Sequence, residues 1–208
     1  GRGPERRSDR GTPRAEGAAK GLIAGLVALA ILLAPGRLSA EPQGSVALFA
    51  GTMTRNYWEE IVFRPGSIDL SDSHMAGVAL AYDWATASRR VSIGVEAQAA
   101  IWFGDSAHLE LTAMPLVLRY RMVRPLGPVH AVATGLGVSH ATTVPPEERE
   151  LNGQSARTMV HWMIELGVAP RSARLQPFLR LHHRSDAFGL IDTNAGSNAL
   201  VLGVRRRF

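Results

Sequence analysis

The closing stretch of the chain, residues 175–208, constrains the fold more than any other part of the sequence. Side chains alternate along it, so that one face of each run is mainly aliphatic and the other is polar or small. In the first run Leu175, Pro177, Leu179, Leu181, His183 and Ser185 oppose Gln176, Phe178, Arg180, His182 and Arg184. In the second run Leu200, Leu202, Val204, Arg206 and Phe208 oppose Ala199, Val201, Gly203, Arg205 and Arg207. A hairpin of this kind, ending on an aromatic residue, is typical of a transmembrane β-barrel, whose strands face lipid and lumen in turn.

The rest of the chain after residue 40 shows the same alternation. It predicts eight strands, an even number, and hence an all-β, eight-stranded antiparallel transmembrane β-barrel. The predicted strands are Ser45–Thr54, His74–Trp84, Arg89–Phe103, His108–Met122, Val129–His140, Arg157–Ala169, Leu175–Ser185 and Ala199–Phe208. A soluble β-sandwich or lipocalin-like barrel is the alternative, but it would turn its polar faces outward.

The connections between the predicted strands alternate in length. Long ones fall at residues 55–73, 141–156 and 186–198, whereas Pro125–Pro128 and Pro170–Ala173 are short turns. Outer-membrane barrels combine long extracellular loops with short periplasmic turns. The loops after strands one, three, five and seven are therefore expected outside the cell, although the connection at 104–107 is short for its place.

The first forty residues predict a signal peptide. A polar, arginine-containing stretch precedes the apolar run Gly21–Pro35, which has the length of a signal-peptide core and is too short for a membrane-spanning helix. Leu38-Ser39-Ala40 forms a cleavage site before Glu41, and an uncleaved anchor is the alternative. We therefore assign residues 1–40 to a signal peptide with an extended basic n-region and 41–208 to a barrel in the cell outer membrane.

The basic charge of the chain lies mainly in that leader. Residues 1–40 contain seven of the 23 Lys and Arg and three of the 18 acids, which leaves 16 basic against 15 acidic residues in the remainder. Without a basic run interleaved with aromatics, the barrel region does not predict nucleic-acid binding. The absence of cysteine excludes disulfides and thiolate chemistry.

Several charged side chains fall on the faces that would line the lumen. Side chains fill the interior of an eight-stranded barrel, and a charge buried there needs a partner. We expect these residues to form a polar plug, with Arg180 as the counter-ion of Glu96 or Glu165. The set comprises Glu96, Gln98, His161, Glu165, Arg180 and His182.

Three polar residues lie instead on the predicted lipid face. His183 and Ser185 end the aliphatic face of strand seven, and Asn198 occupies the matching face of strand eight, two residues before Leu200. An imidazole, a hydroxyl and an orienting side chain are the components of a hydrolytic nucleophile system. The alternative is that they are interfacial residues that hydrogen-bond lipid headgroups at the rim.

The segment His183-Arg184-Ser185-Asp186 resembles the His-x-Ser-Asn motif of the outer-membrane lipid A 3-O-deacylases, also described as acyloxyacyl hydrolase-like barrels. The resemblance is close in the last hairpin. It implies that Ser185 is the nucleophile and His183 its base, acting on an ester-linked acyl chain of lipid A. Asp186 replaces the motif's Asn, and Asn198 stands in place of the family's orienting acid, for which Asp192 is a possible substitute.

Two functions are compatible with these features. One is an ester hydrolase, a lipid A deacylase, with lipid A as substrate and Ser185, His183 and Asn198 as its catalytic residues. The other is a non-catalytic structural or adhesive barrel that acts through its extracellular loops. Neither function requires a cofactor or a metal ion. The terminal Phe208 is expected to be recognised by the barrel-assembly machinery.

Overall fold

The computed structural model describes residues 41–87, 89–170, 172–187 and 195–208. The predicted signal peptide and Asp192 lie outside these residues. Eight antiparallel strands form a closed barrel in sequence order. They are β1 (Gln43–Thr54), β2 (Leu70–Ala85), β3 (Val91–Gly104), β4 (His108–Leu126), β5 (Val129–Ala141), β6 (Thr158–Gly167), β7 (Leu175–Ser185) and β8 (Gly196–Arg207). The predicted fold class is therefore confirmed.

The barrel closes where β8 pairs with β1. The register is regular from Ser45 opposite Arg207 to Thr54 opposite Asn198. The amide of Phe208 extends this seam by donating a hydrogen bond to the carbonyl of Gly44 at 3.0 Å. Recognition of Phe208 by the assembly machinery stays a prediction.

The outer surface of the barrel is apolar. Outward side chains such as Leu48 and Leu202 are 68% and 67% exposed, whereas the inward Met75 is 1% exposed. A soluble barrel would carry the reverse pattern, because apolar surface in contact with water is unfavourable. The outward residues form a lipid-facing belt: Val46, Leu48, Val78, Leu80, Val95, Ile101, Leu111, Val138, Leu179, Leu202 and Val204.

Three strands extend three or four residues further than the sequence alternation indicated. β2 begins at Leu70 rather than His74, β4 continues to Leu126 rather than Met122, and β8 begins at Gly196 rather than Ala199. In β2 and β8 the added residues are mainly polar or small, so they lack the alternation of apolar and polar side chains that marks a strand. In β4 the extension contains Pro125, which is typical of a turn. The first connection accordingly spans residues 55–69 and the last spans 186–195.

We call the end of the barrel that carries these long connections the loop end, and the opposite end the turn end. Two short helices lie at the loop end, α1 (Trp58–Phe63) after β1 and α2 (Pro146–Asn152) after β5. Proline at the first turn of α2 and Gly153 after its last turn, at φ +77°, are standard helix boundaries. Among the described residues, no helix is long and apolar enough to cross a membrane.

The apolar part of the interior lies mainly along β1, β2, β3, β7 and β8. Phe178 is 2% exposed and packs over Gly203, where a Cβ atom would lie 2.2 Å from the Phe178 ring. Any side chain at position 203 would therefore displace the aromatic ring. The same ring receives the guanidinium groups of Arg180 and Arg205 at 5.1 and 4.9 Å from its centroid. Phe178 thus joins the apolar core to the charged lumen.

Candidate functional site

The β7–β8 hairpin brings two of the three predicted site residues directly opposite each other. His183 pairs with Asn198, and Ser185 pairs with Gly196 at the last rung before the connection. Because residues two apart on a strand share a face, His183 and Ser185 both lie on the outer wall near the loop end. Towards the loop end, the outward-facing side chains of β7 therefore change from leucine to polar residues.

His183 and Asn198 are hydrogen-bonded, with 2.7 Å between His183 Nδ1 and Asn198 Oδ1. The other end of the amide is fixed, because Asn198 Nδ2 donates to the backbone carbonyl of Asn56 at 2.9 Å. A carbonyl can only accept, so the amide nitrogen must face Asn56 and the amide oxygen must face His183. His183 consequently carries its proton on Nδ1, which leaves the lone pair on Nε2.

Trp162 packs against the imidazole from outside, and Trp58 packs in turn on Trp162. The Trp162 ring lies 4.4 Å from the His183 ring between centroids, and Trp58 of α1 meets Trp162 edge-on at 5.5 Å. These contacts reduce the exposure of His183 to 8%. The first loop therefore folds down onto the outer wall and holds His183 in an aromatic niche.

Ser185 lies at the edge of this niche and is half-buried. Its hydroxyl oxygen accepts a hydrogen bond from the amide of Ala187 at 3.3 Å. Within the described residues there is no hydrogen bond between Ser185 and His183, so proton transfer requires the two side chains to come closer together. Nucleophile and base are often further apart before substrate binds than in the reacting complex.

Asp186, which replaces the Asn of the resembling motif, begins the connection after β7. Its backbone amide donates to the carbonyl of Ala195 at 3.1 Å, which keeps the two strands together past their last rung. Asp192, the alternative orienting acid, lies outside the described residues. Among the described residues, Asn198 is thus the partner of His183.

The polar plug predicted for the lumen is confirmed in its central part. Arg180 Nη2 lies 2.8 Å from a Glu96 oxygen and 2.5 Å from a Glu165 oxygen, so it pairs with both acids that the sequence offered. Arg119 and Arg205 bind the same two carboxylates. With Asp83, which pairs with Arg119 at 3.2 Å, this lower lumen network holds three acids and three arginines.

At the turn end of the barrel, the lower lumen network borders a basic cavity of about 320 Å³. Arg119, Glu165 and Arg205 belong to the network and also line that cavity. Side chains thus fill the interior between the cavity and the loop end, as expected for eight strands.

A second polar group, nearer the loop end, was only partly anticipated. Glu110 receives hydrogen bonds from Trp102 Nε1 at 2.9 Å, Ser139 at 2.7 Å and Thr112 at 3.2 Å. His182 Nε2 lies 3.0 Å from the same carboxylate. His161 and His182 were assigned to the plug from sequence, but Glu110 was not. Its inward position in the alternation of β4, shared with Thr112, was the signal available.

Helix α2 covers this group at the loop end. Glu148 is 1% exposed and accepts hydrogen bonds from Ser197 and Ser155, and it lies 3.4 Å from Arg184 Nε. Asn152 binds the carbonyl of Gly196 at 3.0 Å. The helix therefore seals the lumen on the side where the long connections lie.

The closed antiparallel barrel, its filled lumen and its apolar outer belt define a transmembrane β-barrel of the outer-membrane class. The protein is accordingly a protein of the cell outer membrane.

A solved structure of similar fold agrees with this class. The fold is similar to that of the outer membrane enzyme PagL, with a TM-score of 0.53 and 18% sequence identity over 78% of this chain and 98% of that chain. An outer membrane channel from Pseudomonas putida matches with a TM-score of 0.35 and 9% identity, over 83% and 97% of the two chains. No protein-family model matches the sequence, and no curated protein matches it.

Proposed function

We propose that the protein is an outer-membrane ester hydrolase that removes an acyl chain from lipid A. Ser185 is the nucleophile, His183 the general base, and Asn198 the residue that orients His183. The observation that carries this proposal is the 2.7 Å contact between His183 Nδ1 and Asn198 Oδ1, with the amide fixed by Asn56. It leaves His183 Nε2 unprotonated, which is the state a general base requires.

The reaction follows from these roles. Nε2 of His183 takes the proton of the Ser185 hydroxyl as its oxygen attacks the ester carbonyl carbon. The tetrahedral intermediate collapses, and His183 returns the proton to the departing sugar oxygen. Water, deprotonated by His183, then attacks the acyl-serine and releases a fatty acid and free Ser185. Asn198 keeps the ring in place throughout, but it does not stabilise the imidazolium as a carboxylate would.

The position of the site supports a lipid substrate. His183 and Ser185 lie on the outer wall directly beyond the exposed side chains of Leu179 and Leu202, which are 37% and 67% exposed. An acyl chain lying along these leucines would present its ester linkage at the polar end of β7. A substrate already in the membrane reaches such a site by lateral diffusion, without leaving the bilayer.

Two further points support the proposal. The sequence around His183 and Ser185 resembles that of the lipid A 3-O-deacylases, in which the matching residues perform the same roles. Additionally, PagL, which shares the fold, is an outer membrane enzyme. This fold is therefore compatible with an enzyme of the outer membrane.

The experiment is the mass of lipid A isolated from a Gram-negative host that expresses the protein. Loss of one hydroxyacyl chain is expected with the parent and should disappear with Ser185→Ala and with His183→Ala, because neither residue acts alone. His74→Ala is the matched control. His74 is an outer-wall histidine near the same end, bonded to the Thr52 hydroxyl at 3.1 Å, and its replacement should leave the mass shift intact.

One observation favours a second candidate, a non-catalytic barrel that acts through its loops. Asn198 binds both His183 and the backbone of Asn56, so the same contacts also anchor the first loop to the rim. If anchoring the loop is the only role of these contacts, expression of the parent protein should leave lipid A unchanged. Asn198→Ala would then release the loop, which limited proteolysis of residues 55–69 detects.

A further inference from the structure

Three buried residues converge inside the barrel on the other side of the wall from His183. Glu110 of β4, His161 of β6 and His182 of β7 are 1%, 0% and 3% exposed, and their nearest ligand-type atoms all lie within 4.8 Å of one another. We call Glu110, His161 and His182 the upper lumen cluster. Two imidazoles and a carboxylate are ligands that Zn²⁺ commonly takes in proteins.

Hydrogen bonds do not explain why the polar side chain of His161 is buried. Neither of its ring nitrogens has a hydrogen-bond partner among the described residues, although the side chain is fully buried. Leaving a buried polar atom unpaired costs on the order of 1–3 kcal/mol, and such groups are rare in folded proteins. The ring lies 4.3 Å from that of His182 between centroids, so its free nitrogens belong to the cluster. An ion held between the two rings would provide the missing partner.

A third histidine, His108, lies next to the same carboxylate. His108 Nδ1 lies 2.8 Å from the backbone carbonyl of Ser106, which can only accept a hydrogen bond, so the proton is on Nδ1. Nε2 therefore carries a lone pair. It is buried without a hydrogen-bond partner among the described residues and lies 4.0 Å from a Glu110 oxygen. Metal-binding histidines are typically fixed in this way by a carbonyl on the other ring nitrogen.

The surrounding groups hold Glu110 in position. Trp102, Ser139 and Thr112 all donate to its two oxygens, as supporting hydrogen bonds do around a metal-binding carboxylate. Arg184 Nη1 lies 3.6 Å from Glu110, and its Nε faces Glu148. One arginine is thus shared between two buried acids. The negative charge that remains favours a cation in the cluster.

We propose that the upper lumen cluster, completed by His108, binds one divalent transition-metal ion, Zn²⁺ by its ligand chemistry. Three imidazole nitrogens and one carboxylate oxygen make a closed four-ligand set, which is typical of a structural rather than a catalytic zinc site. Bond lengths near 2.0–2.2 Å require side-chain shifts on the order of 1 Å from the present spacing. The ion would tie together β4, β6 and β7. This proposal is independent of the ester hydrolase.

The test is the metal content of the full barrel, refolded into detergent with and without Zn²⁺ and passed through gel filtration. Folding is verified by the shift in gel migration between heated and unheated samples. About one zinc per chain is expected for the parent, together with a higher Tm after refolding in Zn²⁺. Co²⁺ in place of Zn²⁺ should give the visible absorption bands of a four-coordinate site.

The variants separate a ligand from a structural residue. His161→Phe and Glu110→Gln should each lower zinc occupancy at least tenfold, and the Tm gain in Zn²⁺ should vanish. His183→Ala is the matched control, because His183 is the next residue after His182 but faces the outer wall; its zinc content should equal the parent's. His161→Phe also removes the unpaired nitrogens, so without zinc this barrel should be no less stable than the parent.

Two results would overturn the proposal. The first is a folded parent that retains no more zinc than His161→Phe at a Zn²⁺ concentration that saturates ordinary protein sites. The second is retention of zinc by both His161→Phe and Glu110→Gln, which places the ion elsewhere in the barrel.

Discussion

Asn198 accepts a hydrogen bond from His183 across the β7–β8 hairpin. The resemblance to the deacylases implies a carboxylate at this position. The amide fixes the tautomer of the imidazole but adds no negative charge next to it. The 2.7 Å contact therefore provides orientation without electrostatic stabilisation of the imidazolium. The proposed hydrolase is therefore expected to release acyl chains slowly.

Asn198→Glu should increase the rate of acyl release. A carboxylate beside His183 stabilises the positive charge that forms as Ser185 loses its proton, so the gain should appear in kcat rather than in KM, by about tenfold or more. The gain should be absent when Ser185→Ala is added. If Asn198→Glu has no effect while Asp192→Ala abolishes activity, the orienting acid is Asp192 and our assignment of Asn198 is wrong.

Trp162 should act as a positioning residue for the base. Its ring lies 4.4 Å from that of His183, and its loss would allow the imidazole to move by about 1 Å, which lowers rates about tenfold to a hundredfold. Trp162→Ala should therefore reduce kcat, and Trp162→Phe should restore most of it. Trp84→Ala, at the turn end of β2, is the control. Equal kcat values for the two alanine variants would refute this role.

Arg180 should contribute strongly to stability through the lower lumen network. Arg180→Met leaves Glu96 and Glu165 with fewer counter-ions in a buried position, which costs about 3 kcal/mol of the free energy of unfolding. Addition of Glu165→Gln should recover part of that loss. Arg55→Met is the control, because its pair with Asp69 is exposed and contributes below about 1 kcal/mol. Urea titration of the barrel in lipid vesicles measures all three variants.

The depth of the apolar belt can be tested with arginine. Val95 lies in the middle of β3 and is 38% exposed on the outer wall, so Val95→Arg should cost about 2–4 kcal/mol in vesicles. Ile164→Arg on β6 should behave in the same way. Leu126→Arg, next to the turn after β4, should cost only about 0–1 kcal/mol. Equal costs at Val95 and Leu126 would contradict a membrane-spanning orientation of β3.

Alternation along the sequence was sufficient to predict the strands and their faces. Residues 175–185 were placed to the residue, because Leu179 and Leu181 alternate with charged neighbours. A pairing of Arg180 with Glu96 or Glu165 was also predicted, since a buried charge needs a partner; the structure shows both pairs. The bounds of β2 and β8 were less accurate, because their first residues are polar or small on both faces.

The parts that sequence did not predict depend on register and on loops. Glu110, His161 and His182 come from three separate strands, and only the strand register places them at one height in the lumen. Helix α2 carried a recognisable signal, since Pro146 precedes two acids and Gly153 follows its last turn. The packing of Trp58 on Trp162 had no such signal, because it depends on how the first loop folds onto the wall.

The most direct test of the central claim is acyl release from lipopolysaccharide by the purified, refolded barrel, measured as free hydroxy fatty acid against time. The parent and His74→Ala should release one chain per lipid A. Ser185→Ala should release none above background while it shows the same gel migration as the parent. Equal release by Ser185→Ala, or a folded parent that releases nothing, would contradict the assignment of Ser185 as the nucleophile of an ester hydrolase.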